Sequence, residues 1–411
     1  MSAALAIFRE VLAVLEPRRL AHAAAARAAR GPVELWAIGK AAAAMAAGVR
    51  DALPVVQSIV VAKDGPGASH AGHPIPDARS LAAGEALLAR ARALPEEATV
   101  VLALSGGASA LAVAPAEGLT LDEKIATTAA VARSGAGITE LNCVRKHLSR
   151  IKGGRLAAAT PARLCALILS DVVGDDPSVI GSGPACADPT TFAEALAIAR
   201  AAGAPGLALL EAGARGEREE TPKPGDPRLA RVEIEVLAGP RDLARAAAEA
   251  AGRRGLTARV APPFTGTVEE LAGELARCAR EQPAGHATVI AGEPVVRLSD
   301  GAGRGGRAQH TALLVTSVLS EAHEPSHPPP GRRRGESAEV LCVASDGSDG
   351  PTADAGALVS AETVAWARAH PGRVAAALAG FDAGNALEAA RALITTGPTG
   401  TNLCDLYLVV T

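Results

Sequence analysis

The sequence predicts a two-domain α/β protein. Three observations carry that prediction. Apolar runs of strand length alternate with helical patterns through both halves of the 411 residues. A hydrophobic fraction of 48% is ample for two sizeable cores, although aromatics make up only 2%, so Ala, Val, Leu and Ile must fill them. A stretch dominated by charge, Gly and Pro, residues 211–228, breaks the periodicity and reads as the interdomain connection. The predicted domains are therefore 1–225 and 226–411.

In chain order, residues 2–16 pattern as an amphipathic helix, because Arg9, Glu10 and Glu16 interrupt an apolar face. No basic region precedes an apolar core, so a signal peptide is not expected. A second, Ala-rich helix is predicted at 20–30. Val33–Gly39 and Val55–Ala62 are predicted strands around a helix that opens at Lys40. Prolines and glycines make 63–77 a loop, and a helix follows over 78–93. The run at 98–104, rich in Val and Leu, reads as a buried parallel strand. Helical patterns cover about 120–150, and Arg163–Ser170 is the next buried strand. A helix over 191–202 ends at Gly203. The second domain is predicted to hold strands 231–238, 256–260, 286–291, 294–299 and 339–344, with helices 241–254, 267–280 and 307–322. The Pro- and Arg-rich segment 323–337 reads as a solvated surface loop. Helices are expected over 354–393, and a strand at 403–410 closes the chain.

A net charge of −3 and the shortage of aromatics argue against nucleic acid as a partner. No apolar run reaches membrane-span length. The six cysteines form no C-x-x-C pair and read as buried small hydrophobes in a reducing, cytoplasmic setting. The expected partner is a small molecule, with no nucleic acid and no membrane. The assembly considered beyond the monomer is a homodimer.

Ligands of open α/β sheets bind at the carboxyl ends of strands. Five unusual loops fall at such predicted ends. Ser105, Gly106, Gly107 and Ser109 turn the chain after strand 98–104, and successive backbone amides in such a turn cradle anions, with a following helix N-terminus adding its dipole. The alternative is an ordinary strand-to-helix turn. Lys40 starts a helix, where the dipole penalises a cation and a bound phosphate would not. Asp171, Asp175 and Asp176 follow strand 163–170. They suit Mg²⁺ beside phosphates, or equally an Asx turn or helix cap. Asp346 and Asp349 in S-D-G-S-D-G carry the same two readings. Gly301–Gly306 matches G-x-G-x-x-G, but Arg304 and Arg307 crowd a turn that in a dinucleotide site relies on bare backbone. Gly303 and Gly305 then belong to a flexible loop bearing an arginine fork, which clamps carboxylate or phosphate. In the basic stretch 140–155, Arg145, Lys146, Arg150 and Lys152 complement a helix C-terminus, with Arg145 or His147 as possible site residues. His73 has no metal-like partner at usable spacing. P-loop and G-x-S-x-G motifs are absent.

Taken in order, A-I-G-K-A-A (37–42), H-P-I-P-D (73–77), L-S-G-G-A-S-A-L (104–111), N-C-V-R-K-H-L-S-R-I-K-G-G-R-L-A (142–157), L-S-D-V-V-G-D-D (169–176), I-G-S-G-P (180–184), G-R-G-G-R-A-Q (303–309), the 345–354 segment and G-P-T-G-T-N (397–402) resemble the glycerate 2-kinase family with a C-terminal MOFRL domain. The resemblance runs over nearly the whole chain. It implies a Rossmann-like N-terminal parallel sheet flanked by helices, a smaller α/β C-terminal domain and an active site in the cleft between them. It implies ATP- and Mg²⁺-dependent phosphorylation of D-glycerate to 2-phosphoglycerate. By the same resemblance the cleft lysine matches Lys40 and the glycine-loop arginine matches Arg307, expected on the glycerate carboxylate. Ser105, Gly106, Gly107, Ser109, Gly303 and Gly305 fall to nucleotide binding, and Asp171 and Asp175 to the metal, with Asp171 also catalytic. The family usually reads G-G-R-N-Q-E where this chain has G-G-R-A-Q-H, with Ala308 and His310. The rival reading is a hydroxypyruvate reductase holding NAD(P)H on Gly301–Gly306.

Overall fold

The computed structural model describes residues 2–297, 301–321, 329–331 and 338–411. Most of the Pro/Arg segment 323–337 lies outside the described residues. The chain forms two compact units, Pro17–Leu237 and a second made of Met1–Glu16 with Ala238–Thr411.

The Pro17–Leu237 unit is built on six strands: β1 (Val33–Ile38), β2 (Val55–Ala62), β3 (Ser69–His70), β4 (Thr99–Leu104), β5 (Arg163–Leu169) and β6 (Val232–Ala238). Their order is β3-β2-β1-β4-β5-β6. The pairs β2–β3, β1–β2, β1–β4 and β4–β5 are parallel. Buried on every residue, β1 reads as the apolar run a central parallel strand requires. Strand order reverses between β1 and β4, and Ile38 stands beside Leu104 in register. The loops after these two strands therefore emerge side by side at the switch point, where ligands of such sheets bind.

Two expectations fail in this unit. Residues 211–228 do not join the two units, because the chain passes through them and returns to lay β6 on this sheet. The helix Ala3–Val14 packs with the C-terminal unit instead, burying Ile7, Phe8 and Val11, with Ala4 N–H donating to Glu339 at 3.0 Å.

The second unit holds β7 (Thr257–Val260), β8 (His286–Gly292), β9 (Glu339–Ala344), β10 (Gly356–Val359), β11 (Leu393–Ile394) and β12 (Asp405–Val410), in the order β11-β10-β9-β12-β8-β7. Among the named strands of the described residues, β7–β8 pair in parallel and the other four pairs are antiparallel. β10 (G-A-L-V) and β11 (L-I) lie inside the region expected to be helical; these short apolar runs pair as strands because β9 supplies the ladder for β10 and β10 for β11. The strand expected at 294–299 is reduced to an isolated bridge at Val295, and residues 298–300 lie outside the described residues.

Both cores are built largely from Ala, Val, Leu and Ile, with Trp36, Phe8, Phe192 and Tyr407 as the large buried aromatics. All six cysteines are buried, and none forms a disulfide. Among the described residues no helix is long and apolar enough to cross a membrane.

Candidate functional site

At the switch point of the first sheet, Ser105 N–H donates to Ile38 O at 3.0 Å, and Lys40 N–H donates to Gly106 O at 2.9 Å. The Ser105 hydroxyl, wholly buried, accepts Ala41 N–H at 3.0 Å. Ser105 therefore locks the two loops together and offers a ligand little. The N–H groups of Gly106 and Gly107 make no hydrogen bond among the described residues. Gly107 has φ +86°, and a Cβ there would meet Lys40 Cγ and the His73 ring, each at 3.2 Å. Lys40, Gly107 and His73 thus stand together, with Lys40 half-buried. His73 was legible only as a residue lacking metal partners, because nothing local to H-P-I-P-D indicates that it folds against residue 107.

The helix after this turn, Ala108–Leu111, is a single turn, so the expected dipole contribution is small. Ser109 Oγ shares a hydrogen bond of 2.8 Å with Ser182 Oγ, and Ser182 Oγ donates to Asn142 Oδ1 at 2.8 Å. This hydroxyl chain ties the 105–109 turn to I-G-S-G-P and to the helix Ile138–His147. On that helix, His147 is a core histidine. Its Nδ1 meets Cys143 O at 2.8 Å, its Nε2 meets Glu220 at 3.1 Å, and burial lowers its pKa against the pull of neighbouring acids. Lys146 pairs with the wholly buried Asp188 at 3.2 Å, and Arg150 pairs with Glu85.

Asp171 and Asp175 follow β5, both half-buried. Asp175 sits at φ +55°, and its Oδ1 is buried with no hydrogen-bond partner among the described residues. Asp176 accepts Ser178 N–H at 2.8 Å as an Asx turn. No group of three or more His, Cys, Asp or Glu among the described residues forms a self-sufficient metal site.

In the C-terminal unit, the glycine-rich run serves packing. Gly303 N–H donates to Gly380 O at 2.9 Å, Gly305 holds φ +138°, and a Cβ on Gly306 would stand 2.2 Å from Asp349 Oδ1. Asp349 is 2% exposed and accepts Ala308 N–H at 3.1 Å and Gln309 N–H at 2.7 Å. A carboxylate thus fills the N-terminus of helix Arg307–Glu321, the position a dinucleotide pyrophosphate would need. Burial, reinforced by nearby Asp405, raises the Asp349 pKa to about 7.

Arg307 is not an open clamp. Its Nε donates to Asp405 Oδ2 at 2.6 Å and its Nη2 to Glu293 Oε1 at 2.5 Å, leaving Nη1 as the edge without a partner among the described residues. Burial opposes its charge, but the Asp405 and Glu293 carboxylates outweigh that and raise its pKa. Asp405 is 2% exposed and also accepts the Tyr407 hydroxyl at 3.1 Å. Arg304 likewise pairs, with Asp354 at 2.9 Å and with Glu388.

A parallel sheet whose strand order reverses between β1 and β4 defines a doubly wound α/β unit, a class whose ligands bind at strand carboxyl ends. A domain of unknown function, DUF4147, matches residues 3–208, and the MOFRL family matches residues 286–405. The chain belongs to the glycerate 2-kinase family with a C-terminal MOFRL domain. It is 35% identical to D-glycerate 2-kinase of Thermotoga maritima over 92% of this chain and 90% of that one. A protein of Agrobacterium vitis, 38% identical over 93% of this chain and 87% of its own, carries a provisional hydroxypyruvate reductase name. The crystal structure of glycerate kinase from Thermotoga maritima superposes with a TM-score of 0.83 at 32% identity, covering 99% of this chain and 98% of that one.

Proposed function

We propose that this protein transfers the γ-phosphoryl group of ATP to D-glycerate, giving 2-phosphoglycerate. The observation that carries the proposal is the union of Lys40 with the unspent amides of Gly106 and Gly107 where strand order reverses. Phosphoryl transfer asks for positioning and charge neutralisation more than covalent chemistry. In this reading the 106–107 amides hold nucleotide phosphate oxygens, and Lys40 neutralises charge that builds on the transferred group. Gly303 and Gly305 shape the C-terminal unit and are not assigned to the nucleotide.

Mg²⁺ fits the aspartates after β5. It takes one or two carboxylates and completes its shell with phosphate oxygens and water, and Asp175 presents an orphaned buried oxygen. Asp171 and Asp175 would hold it, and when bound it supplies further neutralisation of phosphate charge. Arg307 acts here as the fixed cation of a network with Asp405 and Glu293. Six buried cysteines without a disulfide suit a cytoplasmic enzyme. A homodimer is compatible with this reading and enters none of its steps.

The test is direct. Pure protein with D-glycerate and ATP should release ADP and form 2-phosphoglycerate, identified by phosphorus NMR. The same protein with hydroxypyruvate and NADH should consume no NADH. NADH loss without ADP release would replace the kinase reading with the reductase.

A further inference from the structure

Arg145 lies near the end of helix Ile138–His147, half-buried. Among the described residues its guanidinium makes no hydrogen bond and no ion pair. Two other cations are close enough to act on or feel its charge: Lys124 and Lys152, 5% and 3% exposed. Both ammonium groups are spent on backbone carbonyls. Lys124 Nζ donates to Arg145 O at 3.3 Å and Leu148 O at 3.0 Å, and Lys152 Nζ donates to Ala108 O at 3.3 Å and Ala112 O at 3.2 Å. Asp188 is committed to Lys146, the residue after Arg145. Burial lowers the pKa of all three cations, like charge lowers the two lysines further, and no carboxylate acts on any of them.

A guanidinium without an acid, set beside two buried amines whose charged form burial already disfavours, is costly away from water, and an arriving anion relieves that cost. The cluster has an address. Asn142 is one helical turn before Arg145, on the same face. Its side chain holds Ser182, which holds Ser109 of the turn after β4. Lys152 grips the carbonyls at both ends of the short helix that follows that turn. The partnerless guanidinium therefore belongs to the same corner of the unit as Lys40 and Gly107.

We propose that Arg145 binds the carboxylate of the acceptor, a small 2-hydroxy acid, with the Ser109–Ser182–Asn142 chain fixing its hydroxyl-bearing end. This rests on the kinase reading above. It moves the carboxylate clamp from Arg307, whose Nε and Nη2 are already spent, to the arginine whose fork is open.

R145Q and R145K test it against wild type. Loss of a charge-assisted fork should raise KM for D-glycerate about 10- to 100-fold in R145Q, with R145K intermediate and KM for ATP within about twofold. Without ligand, R145Q should melt at or above the wild-type temperature, because an uncompensated charge has been removed. Inorganic phosphate, used as a bare anion, should raise the melting temperature of wild type and not of R145Q. An unchanged glycerate KM overturns the proposal, as does a rise confined to ATP or an R145Q protein that is insoluble or melts lower. If wild type shows the phosphate effect, R145Q loses it and wild type fails to phosphorylate glycerate, the anion site stands and the kinase reading falls. If wild type phosphorylates glycerate and R145Q matches it in both assays, the reverse holds.

Discussion

At the scale of single residues, the distinction that matters is between a cation held by two carboxylates and one placed beside the switch-point turn. Lys40 is placed against Gly107 and His73, so its loss should be felt in chemistry. Lys40→Ala should lower kcat about 10²- to 10³-fold, the usual cost of removing one preorganised charge stabiliser. Its melting temperature should stay within about 2 °C of wild type, which calorimetry will read; near-normal turnover removes Lys40 from the mechanism. Arg307 should behave in the opposite way. Arg307→Met leaves Asp405 buried beside Asp349 without its counterion, and breaking a buried pair typically costs about 3–5 kcal/mol. Urea unfolding of the C-terminal unit should show that loss. An Arg307→Met protein of unchanged stability that has lost only glycerate affinity would restore Arg307 as the clamp. The sequence marked both residues equally, as basic side chains beside glycines. It could not mark that two carboxylates hold Arg307, because Asp405 and Glu293 are brought to it only through sheet register.

At the scale of elements, the switch-point turn was the most legible feature. A Val/Leu strand followed by S-G-G-A-S has few conformations open to it, and the left-handed φ of Gly107 is the one such a turn requires. Gly107→Ala meets both a φ penalty of about 1–2 kcal/mol and contacts at 3.2 Å with Lys40 and His73. Displacing that lysine should cost at least about tenfold in kcat/KM for ATP, measured at saturating glycerate. The basic helix was legible only as a helix, because burial of its neighbours is a tertiary fact. Its packing leaves a signature in pH. Lys124, buried and repelled by Arg145, has its pKa lowered from 10.5 to about 7. The folded protein thus releases this proton near pH 7 and the unfolded chain near 10.5. Between those values the unfolded state binds more protons, so this group's contribution makes stability rise with pH. The stability of wild type minus that of Lys124→Met should therefore be flat below about pH 6.5 and climb from pH 7 to 10. A difference independent of pH would mean that Lys124 keeps an ordinary pKa.

At the scale of the whole molecule, the alternation of strands and helices was enough to announce two α/β units, and not enough to say which segment belongs to which. An amphipathic helix at residues 3–14 advertises an apolar face without naming its partner. Here the partner is the C-terminal unit. Ile7, Phe8 and Val11 are wholly buried, Ser2 Oγ reaches Glu339 at 2.8 Å, and Glu10 pairs with Arg253 at 2.6 Å and with Arg254. The C-terminal unit is thus closed by the first residues of the chain, and removing them should injure that unit selectively. Burying three such side chains is worth roughly 5–9 kcal/mol at about 1.5–3 kcal/mol each, comparable to the whole stability of a domain. A protein lacking residues 1–16 should therefore keep the protease resistance of residues 17–237 and lose that of 238–411, read by limited proteolysis with mass spectrometry. Supplying a synthetic peptide of residues 1–16 should restore protection in proportion to its concentration. Equal resistance of both segments in the truncated protein would show that the helix contributes nothing to the unit it packs against.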